Sequence, residues 1–274
     1  MRSAGRFGVR ARWIVALALS LIAIVVLVIA LIVSSAPSRG YDASYPQCRS
    51  SYPPNPLFGI VGVNGGKPNN ANPCLADELD WGRRAPGLKR PAQPALSLYI
   101  VTGNPGALHV ADWPRGGSAR PYGRCNSLLT DACSYLYGEQ RAFDSYRRVS
   151  ALDPALARTS PWWLDVELGE DWAGTYDLNI AALRGYLAGL RRAGVGGPIG
   201  VYSTAAQWHD ITGLTAQTTT RALGRLLGWV GGTGLTLIEA RQNCASGGFT
   251  GLAPTLAQYQ VGGFDADLRC SGAA

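Results

Sequence analysis

Histidine is almost absent from this chain. The 274 residues contain two, His109 and His209, and zinc sites draw most of their nitrogen ligands from histidine. Lysine is as scarce: Lys67 and Lys89 are the only two among 25 basic residues. No Cys-x-x-Cys pair occurs, which removes zinc ribbons and thioredoxin-like redox sites. No Gly-x-Ser-x-Gly occurs, which removes the serine nucleophile elbow. The glycine-rich stretch at 62–67 has the wrong spacing for a phosphate loop, and Pro68 follows the lysine in place of Ser or Thr. No internal repeat or low-complexity block divides the chain.

What is present is apolar. Hydrophobic residues make up 47% and charged residues 16%, so the chain can bury a core and disorder is excluded as its main state. The net charge is +7, but Arg2, Arg6, Arg10 and Arg12 crowd into the first twelve residues. No long basic run follows, and no nucleic-acid motif accompanies the charge, so nucleic acid is not an expected partner. Residues 13–33 carry no charge, and Ser20 is their only clearly polar member. A helix of that length spans about 30 Å, the hydrocarbon thickness of a bilayer. The arginines before it belong on the cytoplasmic side. The expected layout is a basic cytoplasmic tail at 1–12, a transmembrane signal anchor at 13–35 in the bilayer, a linker at 36–39 and an extracytoplasmic domain at 40–274. A cleaved signal peptide is the competing reading. Its apolar region is normally shorter, and Pro37 hinders a cut after Ala36. Either reading exports the body, as a single-pass membrane protein or as a secreted one.

Six cysteines, Cys48, Cys74, Cys125, Cys133, Cys244 and Cys270, all lie in that body. An even count in an oxidising compartment suggests three disulfides. Nearness along the chain favours Cys125–Cys133, with Cys48–Cys74 and Cys244–Cys270 as the simplest remainder.

Apolar runs bounded by Gly, Pro or polar clusters read as strands at 40–44, 58–64, 96–102, 162–167, 199–203, 235–239 and 256–260. Helical spacing is clearest at 177–193, with Asp177 as a candidate cap and a stop at 194–198. A second helix covers 139–149. This alternation predicts an α/β fold, a (β/α)8-type barrel with its active site at the carboxyl ends of the strands. The stretches 67–94 and 111–137 are expected to be long, disulfide-stapled loops.

The most informative segment is Trp162-Trp163-Leu164-Asp165-Val166-Glu167. It is an apolar strand ending in two acids. Residues i and i+2 of a strand share a face, roughly 6 to 7 Å apart. Acids at the end of a buried strand are costly unless they bind, pair or catalyse. Like charge and partial burial raise one carboxyl pKa and leave a proton to donate. Tyr41-Asp42-Ala43-Ser44-Tyr45-Pro46-Gln47 opens the body with another acid after a strand. Gln258-Tyr259-Gln260 and Phe264-Asp265-Ala266-Asp267 close it in the same way.

Taken together these segments resemble the family 25 glycoside hydrolases, lysozyme-like muramidases that cut peptidoglycan. Asp42, Ser44 and Gln47 reproduce an Asp-x-Ser-x-x-Gln opening. Leu164, Asp165 and Glu167 match Leu-Asp-x-Glu. Gly200, Tyr202 and Ser203 match Gly-x-Tyr-Ser, with Trp208 following. Gln258 and Tyr259 precede Asp265 as in the closing Gln-Tyr and Asp-x-Asn motifs, and Tyr99 fits an intervening strand. The resemblance implies a variant β/α barrel. It implies Glu167 as the acid that protonates the glycosidic oxygen. Asp165 would support attack by the substrate's own 2-acetamido group, and Asp42 and Asp265 would complete the acidic pocket. Tyr99, Tyr202, Gln258, Tyr259 and Trp208 are the candidate substrate-binding residues. No metal or cofactor is required, and the implied partner is peptidoglycan or a related wall glycan. The sequence departs from the family at 62–66, at 99–104 and at Asp267, which stands in place of Asn. Those departures keep open a catalytically inactive glycan-binding or envelope scaffold protein on the same barrel. Trp81, Trp113, Trp172 and Trp208 are candidates for stacking on sugar faces.

Overall fold

The computed structural model describes residues 15, 18–22, 24, 39–90, 92–232 and 234–271. Most of the expected membrane segment at 13–35 lies outside these residues. Among the described residues, no helix is long and apolar enough to cross a membrane.

Eight strands close into a barrel: β1 (Arg39–Ala43), β2 (Gly59–Gly62), β3 (Leu96–Val101), β4 (Trp162–Asp165), β5 (Ile199–Ser203), β6 (Leu227–Val230), β7 (Pro254–Val261) and β8 (Phe264–Arg269). Neighbours from β1 through β7 run parallel. The last strand does not. β8 is antiparallel to both β7 and β1, so the barrel departs from the expected all-parallel (β/α)8 pattern. The reason is the connection. Gly262 and Gly263 both take positive φ, 59° and 82°, as a two-residue hairpin turn demands, and no crossover helix fits between the strands.

Helices cover the outside: α1 (Leu75–Arg83), α2 (Asp131–Leu152), α3 (Pro154–Thr159), α4 (Tyr176–Ala193), α5 (Ala205–Thr212), α6 (Ala216–Leu223) and α7 (Leu237–Ala245). The helix expected at 177–193 is α4. Its cap position is Thr175, and Asp177 instead sits in the first turn, where its charge meets the positive helix end. Gly194, at φ 108°, closes it. The helix expected at 139–149 is the middle of α2, which starts earlier because Thr130 accepts the Cys133 N–H at 3.3 Å.

Three expectations fail. The strand expected at 235–239 is the start of α7. Thr236 and Glu239 form a capping box there, with Thr236 N donating to Glu239 Oε2 at 2.7 Å, and this local bonding commits the segment to helix. The strand in that part of the barrel is β6. The stretch 67–94 contains α1 and the hairpin Leu88–Lys89 with Ala92–Gln93. The stretch 111–137 contains the hairpin Gly117–Ala119 with Gly123–Cys125 and the first turns of α2. The three disulfides are Cys48–Cys74, Cys125–Cys133 and Cys244–Cys270, as chain nearness suggests.

Strand periodicity divides the core. Trp162, Leu164, Val201, Ala257 and Tyr259 face outward and pack with helical residues such as Leu183, Tyr186 and Leu190. Phe58, Ile60, Trp163, Tyr202, Trp229 and Leu256 fill the inside. Trp229 is the hub, edge-on to Tyr99, Trp163 and Tyr202 at centroid distances of 6.1, 5.8 and 4.5 Å. Gly200 makes room for this packing. A Cβ there would lie 2.3 Å from the Trp163 ring.

Candidate active site

The aromatic plug stops short of the carboxyl ends of the parallel strands. Above it lies a cavity of about 140 Å³ lined by Asp42, Tyr99, Asp165, Glu167, Tyr202, Trp229, Gln258 and Asp265. Each acid arrives by alternation. Trp163 faces inward, so Asp165, two residues on, does too. Glu167 follows after another two. On β8, Ala266 and Leu268 belong to the outer core, which turns Asp265 and Asp267 inward.

The backbone of the acidic segment is pinned on both sides. Thr102 donates to the Asp165 carbonyl from its N–H at 3.0 Å and its Oγ1 at 2.5 Å. Val166 N donates to the Tyr202 carbonyl at 2.9 Å, and Ser203 Oγ to the Val166 carbonyl at 2.7 Å. Trp172 Nε1 donates to the Glu167 carbonyl at 2.9 Å. Beyond the strand, Leu168 N donates to Gln207 Oε1 of α5 at 2.7 Å. These bonds fix the backbone from which the two carboxyls project.

Gln258 anchors the other wall. Its Oε1 accepts from Tyr202 Oη at 2.7 Å and Gly232 N at 3.2 Å. With the oxygen so engaged, its amide group is turned to Asp42 and donates to Oδ2 at 3.0 Å. Ser44 and Gln47, from the same opening motif as Asp42, do not reach the cavity lining. Ser44 N donates to Gln47 Oε1 at 2.9 Å and closes the 3-10 turn Tyr45–Gln47 after β1.

Burial raises the proton affinity of these acids. Asp165 is pushed well above the usual carboxylate range by burial, and then by the charges of Glu167, Glu170 and Asp42. Glu167 is raised by burial and by Asp265, against a hydrogen bond with Gln207 that favours its ionised form. Asp42 is pushed to about 8 by burial and by Asp265, against hydrogen bonds with Gln258 and Asp267. Asp265 is raised by burial. One oxygen each of Asp165 and Asp265, both named Oδ1, is buried without a hydrogen-bond partner. The cavity therefore presents carboxyls of raised proton affinity, two of them with an uncommitted oxygen, which suits a general acid with a charge-stabilising neighbour.

The structure gathers Glu167, Asp165, Asp42, Asp265, Tyr99, Tyr202 and Gln258 from the sequence-based candidates. It does not gather Tyr259 or Trp208. Tyr259 follows the inward Gln258 on β7, so it faces out and accepts from Arg39 Nε at 2.8 Å. Trp208 is buried on α5, outside the barrel, where its Nε1 donates to Thr219 Oγ1 at 3.0 Å. Trp81 and Trp113 are likewise buried as packing residues. His109 and His209 are exposed. Among the described residues, no three His, Cys, Asp or Glu side chains are grouped as metal ligands. Sequence reading missed Trp229, Gln207 and the inward position of Asp267. Trp229 sits in the overlooked strand β6. The i, i+2 spacing from Asp265 was the available signal for Asp267. Gln207 carried no signal.

No protein-family model matches the chain. A curated relative from Dictyostelium discoideum, probable GH family 25 lysozyme 4, is 33% identical over 109 residues, which is 37% of this chain and 42% of the relative. The match thus spans under half of that relative's length. A muramidase structure from Trichobolus zukalii aligns with TM-score 0.47 and 14% identity, covering 84% of this chain and 92% of the other. The modular autolysin LytC from Streptococcus pneumoniae aligns with TM-score 0.49 and 13% identity, covering 85% of this chain and 46% of the other.

Proposed function

We propose that this chain, a divergent relative of the family 25 glycoside hydrolases, hydrolyses glycosidic bonds of peptidoglycan or a related glycan outside the cell. The pair Asp165 and Glu167 carries this reading. Two half-buried carboxyls, both with raised proton affinity, stand two residues apart in a cavity at the carboxyl ends of the barrel strands.

Glu167 donates its proton to the glycosidic oxygen as the bond to the anomeric carbon breaks. The carbonyl oxygen of the substrate's 2-acetamido group forms the new bond to that carbon. Asp165 accepts the acetamido N–H at its uncommitted oxygen, orients that group and offsets the positive charge that develops there. Glu167, now a carboxylate, takes a proton from the water that opens the cyclic intermediate. The substrate supplies the nucleophile, so the reaction stands among the substrate-assisted exceptions to the two-carboxylate scheme. Asp42, held by Gln258, and the hydroxyls of Tyr99 and Tyr202 offer hydrogen bonds to the sugar. The proposal includes an anchor at 13–35, supported by the charge-free run and the four arginines before it. An anchored enzyme acts on glycan close to the membrane.

The test is muropeptide release by the oxidised protein beside its Glu167→Gln variant. New reducing ends from the native protein, reduced at least 100-fold in the variant, are the expected result. Equal release by both removes Glu167 as the acid. No release from several wall types, with glycan pull-down retained, turns the assignment to a binding protein.

A further inference from the structure

Asp267 has no solvent-accessible surface. It lies on the inner face of β8, paired with Gly40 of β1 on one side and Gln258 of β7 on the other. Gly40 brings no side chain, and the Phe58 ring occupies that place, 2.2 Å from where a Cβ would stand. Asp42 is the next inward residue of β1, and its carboxyl acts on that of Asp267. Among the described residues, no N–H or O–H donates to either oxygen of Asp267 in ordinary hydrogen-bond geometry. The indole of Trp229 on β6 faces it without completing such a bond. The other groups acting on it are Asp42 on β1, Asp265 on its own strand, and Gln258 and Tyr259 on β7; none is a cation.

An ionised Asp267 would be an unpaired anion in the barrel core facing two more carboxyls, an arrangement proteins avoid by protonation. Two adjacent carboxyls can hydrogen-bond only if one keeps its proton. We propose that Asp267 is a positioning residue whose carboxylic acid donates a hydrogen bond to Asp42, so that Asp42 is gripped by Asp267 and Gln258 together and held facing the substrate. Burial, then the charges of Asp42 and Asp265, hold Asp267 protonated far above the usual carboxylate range. The same bond eases ionisation of Asp42. The catalytic consequence rests on the glycosidase reading; the hydrogen bond does not.

The test uses the full, oxidised chain and two variants. Asp267→Asn keeps a donor toward Asp42 but has no acid to titrate. Asp267→Leu has a similar volume and no donor. In the infrared spectrum at pH 7, the native protein is expected to show a protonated-carboxyl band component that is absent from Asp267→Asn. In turnover, Asp267→Asn is expected to stay within about threefold of the native rate. Asp267→Leu is expected to lose about 10- to 100-fold in kcat, the effect of one charge-assisted hydrogen bond, with little change in KM. An unchanged infrared band in Asp267→Asn overturns the proposal. So does native kcat in a folded Asp267→Leu, or an Asn variant as slow as the Leu variant. Should Asp267→Leu fail to fold, the infrared band and the rate of Asp267→Asn still decide. Should the native chain cleave no glycan, the glycosidase reading fails and the infrared comparison alone decides whether Asp267 keeps the proton that its bond to Asp42 requires.

Discussion

Replacing Glu78 by glutamine should stabilise this protein, and increasingly so as the pH rises. Glu78 lies in the first turn of α1 with no accessible surface. Its Oε2 accepts from Asn72 Nδ2 at 2.6 Å, while its Oε1 is buried without a partner. Asn72 is fully engaged: Nδ2 also donates to the Gly62 carbonyl at 2.7 Å, and Oδ1 accepts the Cys74 N–H at 2.9 Å. Burial therefore dominates, opposed by the Asn72 bond and assisted by Asp77, and moves Glu78 from an ordinary 4.5 to about 7. The sign follows from proton counting. Between those two values the folded chain holds a proton that the unfolded chain has released, so stability falls as pH rises through this window. Below it the two states match, and above it the full penalty applies. At about 1.4 kcal/mol for each tenfold change in proton affinity, the penalty is at most about 3 kcal/mol. Glu78→Gln should thus be near neutral at pH 4.5 and stabilising by about 3 kcal/mol at pH 8. Urea unfolding of the oxidised protein at pH 4.5, 6 and 8 measures this directly. A stability difference that stays constant across the three pH values, or that reverses sign as pH rises, refutes the reasoning.

Two further outcomes follow from the site and the barrel. The Gln207 bond favours the ionised form of Glu167, so Gln207→Ala should shift the alkaline limb of the kcat/KM profile to higher pH; a limb that stays or moves down contradicts the assigned role. Gly200→Ala drives a methyl to 2.3 Å from the buried Trp163 ring. Overpacking of this kind costs about 1 to 3 kcal/mol, and an unfolding midpoint in urea equal to the native one would show that the barrel yields more easily than the packing implies.

The local sequence determined what depends on near neighbours. Alternation through Trp163, Asp165 and Glu167 set which side chains face the cavity, because strand pleating has a period of two. Nearness sufficed for Cys125–Cys133, eight residues apart. The capping box at Thr236 and Glu239 was also readable, and it outranks the apolar pattern that suggested a strand. Tertiary structure decided the rest. Tyr259 is as aromatic as Tyr202, yet closure of the barrel makes the Gln258 face of β7 the inner one and leaves Tyr259 outside with Arg39. Asp42 meets Gln258 across 216 residues of sequence separation, and no local signal states that the first strand and the last are neighbours. That contact exists because the Gly262-Gly263 hairpin reverses the chain and β8 fills the gap between β7 and β1. Closure of the barrel, a global act of hydrogen bonding, places Asp42, Asp265 and Asp267 together, and only their enclosure there raises their proton affinity.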